Sequence, residues 1–448
     1  MARTSLSGFP EWRPEGRIAE QFVLDHLRHV FELHGFTSIE TRAVETLEEL
    51  EKKGETSKEV YVLERLQALK DAEAGRRSSS ERRMGLHFDL TVPFARYTIE
   101  NAGDLDFPFK RYQIQKVWRG ERPQEGRFRE FTQADIDVVG AGSLPFHYEV
   151  DLPLVMAEAL TGLPLPPVHM LVNNRKVVQG VCESIGVTDV EAALRGLDKL
   201  DKIGPSGVLE ELGEAGIAVE QAEVLLAMAS IRSDDPGRVR AQVAGLGVAG
   251  DLLEEGLDEL CALLEAAALR LPGVVVADLK IARGLDYYTG SVYETVLEGH
   301  EDLGSICSGG RYDSLATDGK RTYPGVGLSI GVSRLVSRML SAPLVEVSRK
   351  VPTAVLVAVT QEERRGVSDA VATRLRSRGI PTDVAPTAAK FGKQIRHADR
   401  RGIPFVWFPG EDGPDTVKDI RSGEQVEADP GAWMPPEEDL HPRVRARG

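Results

Sequence analysis

The densest run of chemistry-bearing side chains in this 448-residue chain lies between Phe109 and Gly140, FKRYQIQKVWRGERPQEGRFREFTQADIDVVG. Two strand-like runs flank a turn containing Gly120, Pro123 and Gly126, so a long β-hairpin is expected. Period-two alternation puts Arg111, Gln113, Gln115 and Arg119 on one face of the first strand, and Arg129, Phe131, Gln133, Asp135 and Asp137 on one face of the second. Guanidinium groups suit phosphate, an aromatic ring suits stacking on a base, and amides with carboxylates suit a polar side chain. A solvated sheet face carrying ordinary cross-strand pairs is the alternative, and the pattern alone leaves both open.

Other segments carry weaker signals of the same kind. In ARGLDYYTGSVYET, Ala282 to Thr295, Arg283 follows a valine-rich strand, and Tyr287 and Tyr288 cannot face the same way in extended chain. One tyrosine would line a site and the other pack; alternatively both are sheet aromatics and Arg283 a surface charge. CSGGRYD, Cys307 to Asp313, reads as a Gly-Gly turn with a structural role. GVGLSIGVSRLVSR, Gly325 to Arg338, runs from a glycine-rich strand into a helix with Arg334 near its start, where backbone N–H groups favour anions. A dinucleotide loop is discounted there, because no acidic residue follows at the spacing a βαβ unit requires. Lys390, Lys393, Arg396, His397, Arg400 and Arg401 form a basic helix, suited to nucleic-acid phosphates or simply to solvent.

The elements that must position these residues follow from periodicity. Arg17 to His34 carries a helical apolar stripe ending at Gly35, and Phe36 to Thr41 reads as a strand. Gln67 to Arg83 reads as a solvated excursion, and residues 90 to 172 as strands alternating with turns. From Asn173 to Arg270 the pattern becomes helical and rich in Leu, Ala and Glu, then strands return at Val274 to Ile281. A core sheet interrupted by a helical insertion is expected. After a linker at Ser341 to Arg349, strand and helix patterns alternate through Phe408, predicting a small α/β domain with a largely parallel sheet.

A chain of this length suggests about three domains, and 42% apolar with 28% charged residues is ordinary for folded protein. The net charge of −15 argues against wholesale coating of nucleic acid by a basic surface. Much of the excess acid sits in residues 181–270, with 18 Asp/Glu against 7 Lys/Arg. No apolar run reaches the roughly 18 residues of a membrane span, and Met1 to Glu15 has no apolar signal core. Cys182, Cys261 and Cys307 match no metal or redox spacing and read as reduced core residues, so a cytoplasmic protein is expected.

Together these segments resemble the histidyl-tRNA synthetases, a class II aminoacyl-tRNA synthetase family, over essentially the whole chain. Phe109 to Gly140 is similar to the second class II motif and Gly325 to Leu335 to the third, while RGLDYYTG and GGRYD resemble two histidine-specific signatures. KFGKQIRHADRRGIPFV, Lys390 to Val406, is similar to the family's anticodon-binding domain. The resemblance implies an α+β catalytic domain with an antiparallel sheet, a helical insertion and a C-terminal α/β anticodon-binding-like domain. Expected boundaries are 1–172 and 271–342 for the catalytic core, 173–270 for the insertion and 343–448 for the last domain.

The implied activity joins L-histidine to the 3′ end of histidine tRNA through histidyl adenylate, with ATP carrying Mg²⁺ and with no dedicated metal-ligand motif in the chain. By resemblance, Arg119 meets the α-phosphate, Phe131 stacks on adenine, Arg334 meets the γ-phosphate, and Glu121 and Arg127 belong to the adenine and phosphate loop. Arg283, matching the family's histidine-specific arginine, is implied both in histidine binding and at the α-phosphate from the other side, and with Arg119 is the expected catalytic pair. Asp89, Thr91 and Gln133 are implied near the α-amino group and Asp137 with Tyr288 near the imidazole, with Tyr287 a further histidine-binding residue. Gln124, Lys390, Lys393, Arg396 and Arg400 are implied tRNA contacts, and a homodimer is implied as well.

Several positions depart from the family pattern: Arg42 stands where proline is usual, His87-Phe88 where Arg-Pro is common, Asp137 where some members carry Glu, and Ser333 where an acidic residue precedes Arg334. The competing readings are a synthetase-like regulatory protein that senses histidine or tRNA without aminoacylating, and a ligase that charges another acceptor. Regulatory paralogues commonly lose phosphate-binding arginines or the anticodon domain; this sequence retains both.

Overall fold

The computed structural model describes residues 6–53, 59–67, 83–282, 287–411 and 413–447. The chain divides into two compact units, residues 1–10 with 23–341, and residues 11–22 with 342–448. No helix among the described residues is long and apolar enough to cross a membrane.

The hairpin forms as the alternation requires: Phe109–Trp118 and Glu130–Val139 pair antiparallel from Phe109↔Val139 to Trp118↔Glu130. They lie within a nine-stranded sheet ordered Thr37–Ser38, Phe109–Trp118, Glu130–Val139, Gly325–Gly331, Cys307–Tyr312, Tyr288–Leu297, Val168–Asn174, Val275–Asp278, Arg232–Ser233. From Phe109–Trp118 across to Val168–Asn174 every neighbouring pair is antiparallel. Val168–Asn174 and Val275–Asp278 then lie side by side in parallel. Parallel neighbours need a long crossover, and the helices between Arg175 and Arg270 supply it. Two of these pack with their backbones in contact: a Cβ on Gly180 would fall 2.6 Å from Leu253 N, and one on Gly256 2.7 Å from Val177 N.

Some expectations change. Residues 90–172 include two helices, Thr91–Glu100 and His147–Thr161. The first starts where Asp89 Oδ1 accepts the Val92 N–H at 3.1 Å, and Pro93 sits in its first turn, where an N–H has no intrahelical partner to lose. The second is apolar almost all round and buried, so it shows no stripe. Gly309 and Gly310 form no turn; they lie within the strand Cys307–Tyr312. A Cβ on Gly309 would stand 2.0 Å from Gly327 O, so close strand approach is what these glycines permit. The strand expected over Phe36 to Thr41 is only Thr37–Ser38. Most of the expected excursion, residues 68–82, lies outside the described residues.

In the second unit, part of the expected linker is a strand, Val345–Val347, paired with Val444–Ala446 near the end of the chain. A five-stranded sheet joins Thr382–Val384, Val355–Val357 and Phe405–Phe408 in parallel, and extends antiparallel through Thr416–Asp419 and Gln425–Glu427. Alternation sends Val355, Val357, Phe405 and Trp407 into one core with Leu375, and Leu356, Val406 and Phe408 into another with Ala398. The sheet is therefore covered on both faces, by the helices Arg365–Ser377 and Phe391–Arg401.

Candidate active site

Arg119 continues the first hairpin strand, its N–H bonded to Arg129 O at 2.9 Å. Its Nε donates to Phe88 O at 2.9 Å and its guanidinium lies 5.1 Å from the centre of the Phe131 ring. Glu121 sits loosely between two cations, 3.8 Å from Arg119 and 3.6 Å from Arg127. The turn closes on itself through the Gln124↔Arg127 bridge. Gly126 has φ +69°, a conformation that favours glycine, and its carbonyl accepts Arg334 Nε at 3.1 Å. Arg334 Nη1 also donates to Ser305 O at 2.6 Å. Backbone carbonyls thus fix both guanidinium groups, and Arg119, Glu121, Arg127, Phe131, Gln133 and Arg334 line one cavity of about 230 Å³. A polar cavity with three guanidinium groups and an aromatic wall fits a nucleoside triphosphate.

A second, smaller cavity opens deeper along the same strand, lined by Thr91, Asp135, Asp137, Tyr287, Tyr288 and Tyr312 among others. Ser308 and Ser329 line both cavities. The register explains the depth: Asp137 lies between Arg111 and Gly327, and Gly327 is followed by Gly310 on the next strand. The Tyr288 ring crosses Gly310, where an added Cβ would meet it at 2.9 Å. Asp137 is clamped, its Oδ2 2.7 Å from Arg111 Nη2 and its Oδ1 accepting Tyr312 O–H at 2.8 Å. Burial pushes both the Tyr287 and the Tyr312 hydroxyls up, so both are neutral donors near neutral pH. Gly327→Ala would place a Cβ 2.0 Å from Asp137 Oδ1. Overpacking of this kind costs about 1–3 kcal/mol, and we expect about a tenfold rise in the KM of the small substrate with the ATP KM unchanged, read by steady-state kinetics.

The remaining candidates divide by place. Asp89 is buried and accepts the Val92 N–H in the first turn of the helix beginning at Thr91, and Thr91 lines the second cavity. Gln124 is exposed at the hairpin tip. Lys390, Lys393, Arg396 and Arg400 are exposed on or beside the helix Phe391–Arg401 in the other unit. Arg283 lies outside the described residues. Of the face residues given no role, Arg111, Gln113 and Asp135 are almost fully enclosed and Gln115 and Arg129 half-buried, so the hairpin face is no solvated surface. Glu59 was not singled out by sequence. Its carbonyl accepts the Gly120 N–H at 2.7 Å, and burial together with Glu121 raises its carboxyl's pKa. No local motif marks it.

The departures have local explanations. Ser333 Oγ accepts the Thr132 N–H at 2.9 Å, tying the helix that carries Arg334 to the hairpin. His87 Nε2 lies 2.7 Å from Lys116 O and its ring stacks on Trp118. Arg42 pairs at 2.9 Å with the buried Glu45, which also holds Arg96.

Residues 8–335 match the family model for histidyl-tRNA synthetase, and residues 353–431 match that for the anticodon binding domain. This chain belongs to the histidyl-tRNA synthetase family. Within that family it is 59% identical to the histidine–tRNA ligase of Micrococcus luteus, over 99% of this chain and 98% of the relative. It is equally 59% identical to the histidine–tRNA ligase of Cutibacterium acnes, over 99% of each. The crystal structure of histidyl-tRNA synthetase from Nostoc sp. PCC 7120 superposes with a TM-score of 0.84 at 36% identity, covering 96% of this chain and 97% of that one. The fold is the class II synthetase fold with a C-terminal anticodon-binding domain.

Proposed function

We propose that this chain activates L-histidine with ATP and then charges histidine tRNA. A carboxylate oxygen of histidine attacks the α-phosphorus in line, the bond to the bridging oxygen of the β-phosphate breaks, and pyrophosphate leaves. The terminal ribose hydroxyl of the tRNA then attacks the carbonyl carbon of histidyl adenylate, and AMP leaves. Such transfers depend on positioning and charge stabilisation rather than on a covalent enzyme intermediate.

In this reading Arg119 and Arg283 stabilise charge at the α-phosphate, Arg334 holds the γ-phosphate, and Phe131 stacks on adenine, with Glu121 and Arg127 completing the loop. Mg²⁺ would be carried on the ATP phosphates, where it would neutralise developing charge. Asp89, Thr91 and Gln133 receive the α-ammonium and Asp137 with Tyr288 the imidazole, with Tyr287 also binding histidine. Gln124 and the exposed cations Lys390, Lys393, Arg396 and Arg400 contact tRNA. The insertion is a weaker phosphate binder, its Arg240 being already engaged with Glu254 and Asp258. The working domains are 1–172 with 271–342, 173–270 and 343–448, in a cytoplasmic homodimer.

The observation that supports this reading most is the meeting of Arg119, Arg127, Arg334 and Phe131 around one cavity that shares Ser308 and Ser329 with the Asp137 pocket. Exchange of labelled pyrophosphate into ATP tests it. We expect exchange with histidine alone of the twenty amino acids, followed by charging of histidine tRNA. No histidine-dependent exchange would leave only a regulatory protein, and exchange without tRNA charging would indicate another acceptor.

A further inference from the structure

Along the hairpin's second strand the side chains on the site face succeed one another at about 7 Å intervals: Phe131, Gln133, Asp135, Asp137. Phe131, Gln133 and Asp137 each have a part in histidine activation, and Asp135 has none. Yet Asp135 is 2% exposed, lines the smaller cavity, and its Oδ1 has no hydrogen-bond partner among the described residues. Its neighbours in register are Gln113 and Ser329, and the side-chain oxygens Gln113 Oε1 and Gln133 Oε1 are likewise buried and without a partner. Among the described residues none of these three buried acceptors meets a donor, and a buried acceptor left unmet costs about 1–3 kcal/mol.

We propose that Asp135 is a second carboxylate of the amino-acid pocket, accepting an N–H of the bound histidine through Oδ1 and acting, with Asp137, as a specificity-determining residue. The proposal rests on the histidine-activating function and deepens it. Asp137 already holds Arg111 and Tyr312, whereas Asp135 still offers an uncommitted oxygen.

The charge of Asp135 depends on the pocket. Burial pushes its carboxyl up to about 7, with Asp137 on its own strand and Asp89 on the segment before the helix at Thr91 pushing the same way. Arg111 on the paired strand and a hydrogen bond from Ser329 on the other side oppose them. Cys307, on the strand beyond Gly325–Gly331, is itself raised by burial and stays a neutral thiol. Asp135 is therefore mainly ionised above pH 7 and mainly protonated below it. A protonated oxygen accepts a ligand N–H poorly, so histidine binding should weaken as pH falls through 7.

The test compares the histidine KM of the full-length wild type and Asp135→Asn in pyrophosphate exchange at pH 8.5 and pH 6. Asparagine keeps the shape but never ionises, and titration of free histidine is common to both proteins, so it cancels in the ratio. At pH 8.5 the variant's KM should be about tenfold higher, because a charged acceptor is roughly twice as strong as a neutral one. At pH 6 the ratio should fall to near one, with the ATP KM unchanged at both. A ratio near one at both pH values, an equal ratio at both, or a parallel rise in the ATP KM would overturn the proposal. Absence of histidine-dependent exchange in the wild type would overturn the function on which it rests.

Discussion

Arg119→Ala is expected to slow histidine-dependent adenylate formation by about 10²- to 10³-fold, the usual effect of removing one pre-aimed donor from a developing oxyanion. The side chain is pre-aimed because its Nε donates to Phe88 O and its guanidinium is held over the Phe131 ring at the wall of the cavity. The carbonyl that holds Arg119 belongs to the His87-Phe88 pair that departs from the family pattern, and a backbone acceptor is indifferent to that change. The ATP KM should move much less than kcat, because the charge matters most as the α-phosphate rearranges. Single-turnover adenylate formation measures this; a variant with wild-type turnover would remove Arg119 from the chemistry.

Asp137→Ala should produce two separable losses. Arg111 is fully buried, over the Phe94 ring at 4.2 Å, with Nη2 2.7 Å from Asp137. Removing one partner of a buried ion pair costs about 3–5 kcal/mol of stability, visible as a lower midpoint in denaturant unfolding. The histidine KM should rise about 10- to 100-fold, the range for a hydrogen bond to a charged group. The double substitution Arg111→Met/Asp137→Ala removes the stranded charge and should recover much of the stability without recovering the KM. Recovery of both would make Asp137 a structural residue only.

The hairpin was legible because polar and apolar residues alternate from Arg111 to Gln115 and from Ala134 to Val138, on either side of a turn rich in glycine and proline. The face it forms was legible too, as a mixture of charge, amide and ring that no dry core would use. What alternation could not tell is that Arg111, Gln113 and Asp135 are enclosed, since enclosure comes from distant strands laid beside the hairpin. Gly309 and Gly310 read as a turn because Gly-Gly is a common turn dipeptide, and only the neighbouring strand at Gly327 reveals the need for closeness. The helix His147–Thr161 was missed because burial on nearly all sides erases the stripe that periodicity depends on. Val345–Val347 looked like linker because its partner, Val444–Ala446, lies almost at the other end of the domain. Glu59 carries no motif and could be found only from its place beside Gly120 and Arg119.

The most direct measurement is a crystal structure of the full chain with a non-hydrolysable ATP analogue and histidinol. It should show the triphosphate between Arg119 and Arg334, adenine against Phe131, and the imidazole ring between Asp137 and Tyr288. A triphosphate bound elsewhere, or an imidazole outside the Asp137 cavity, would contradict the convergence of these separate segments on one site.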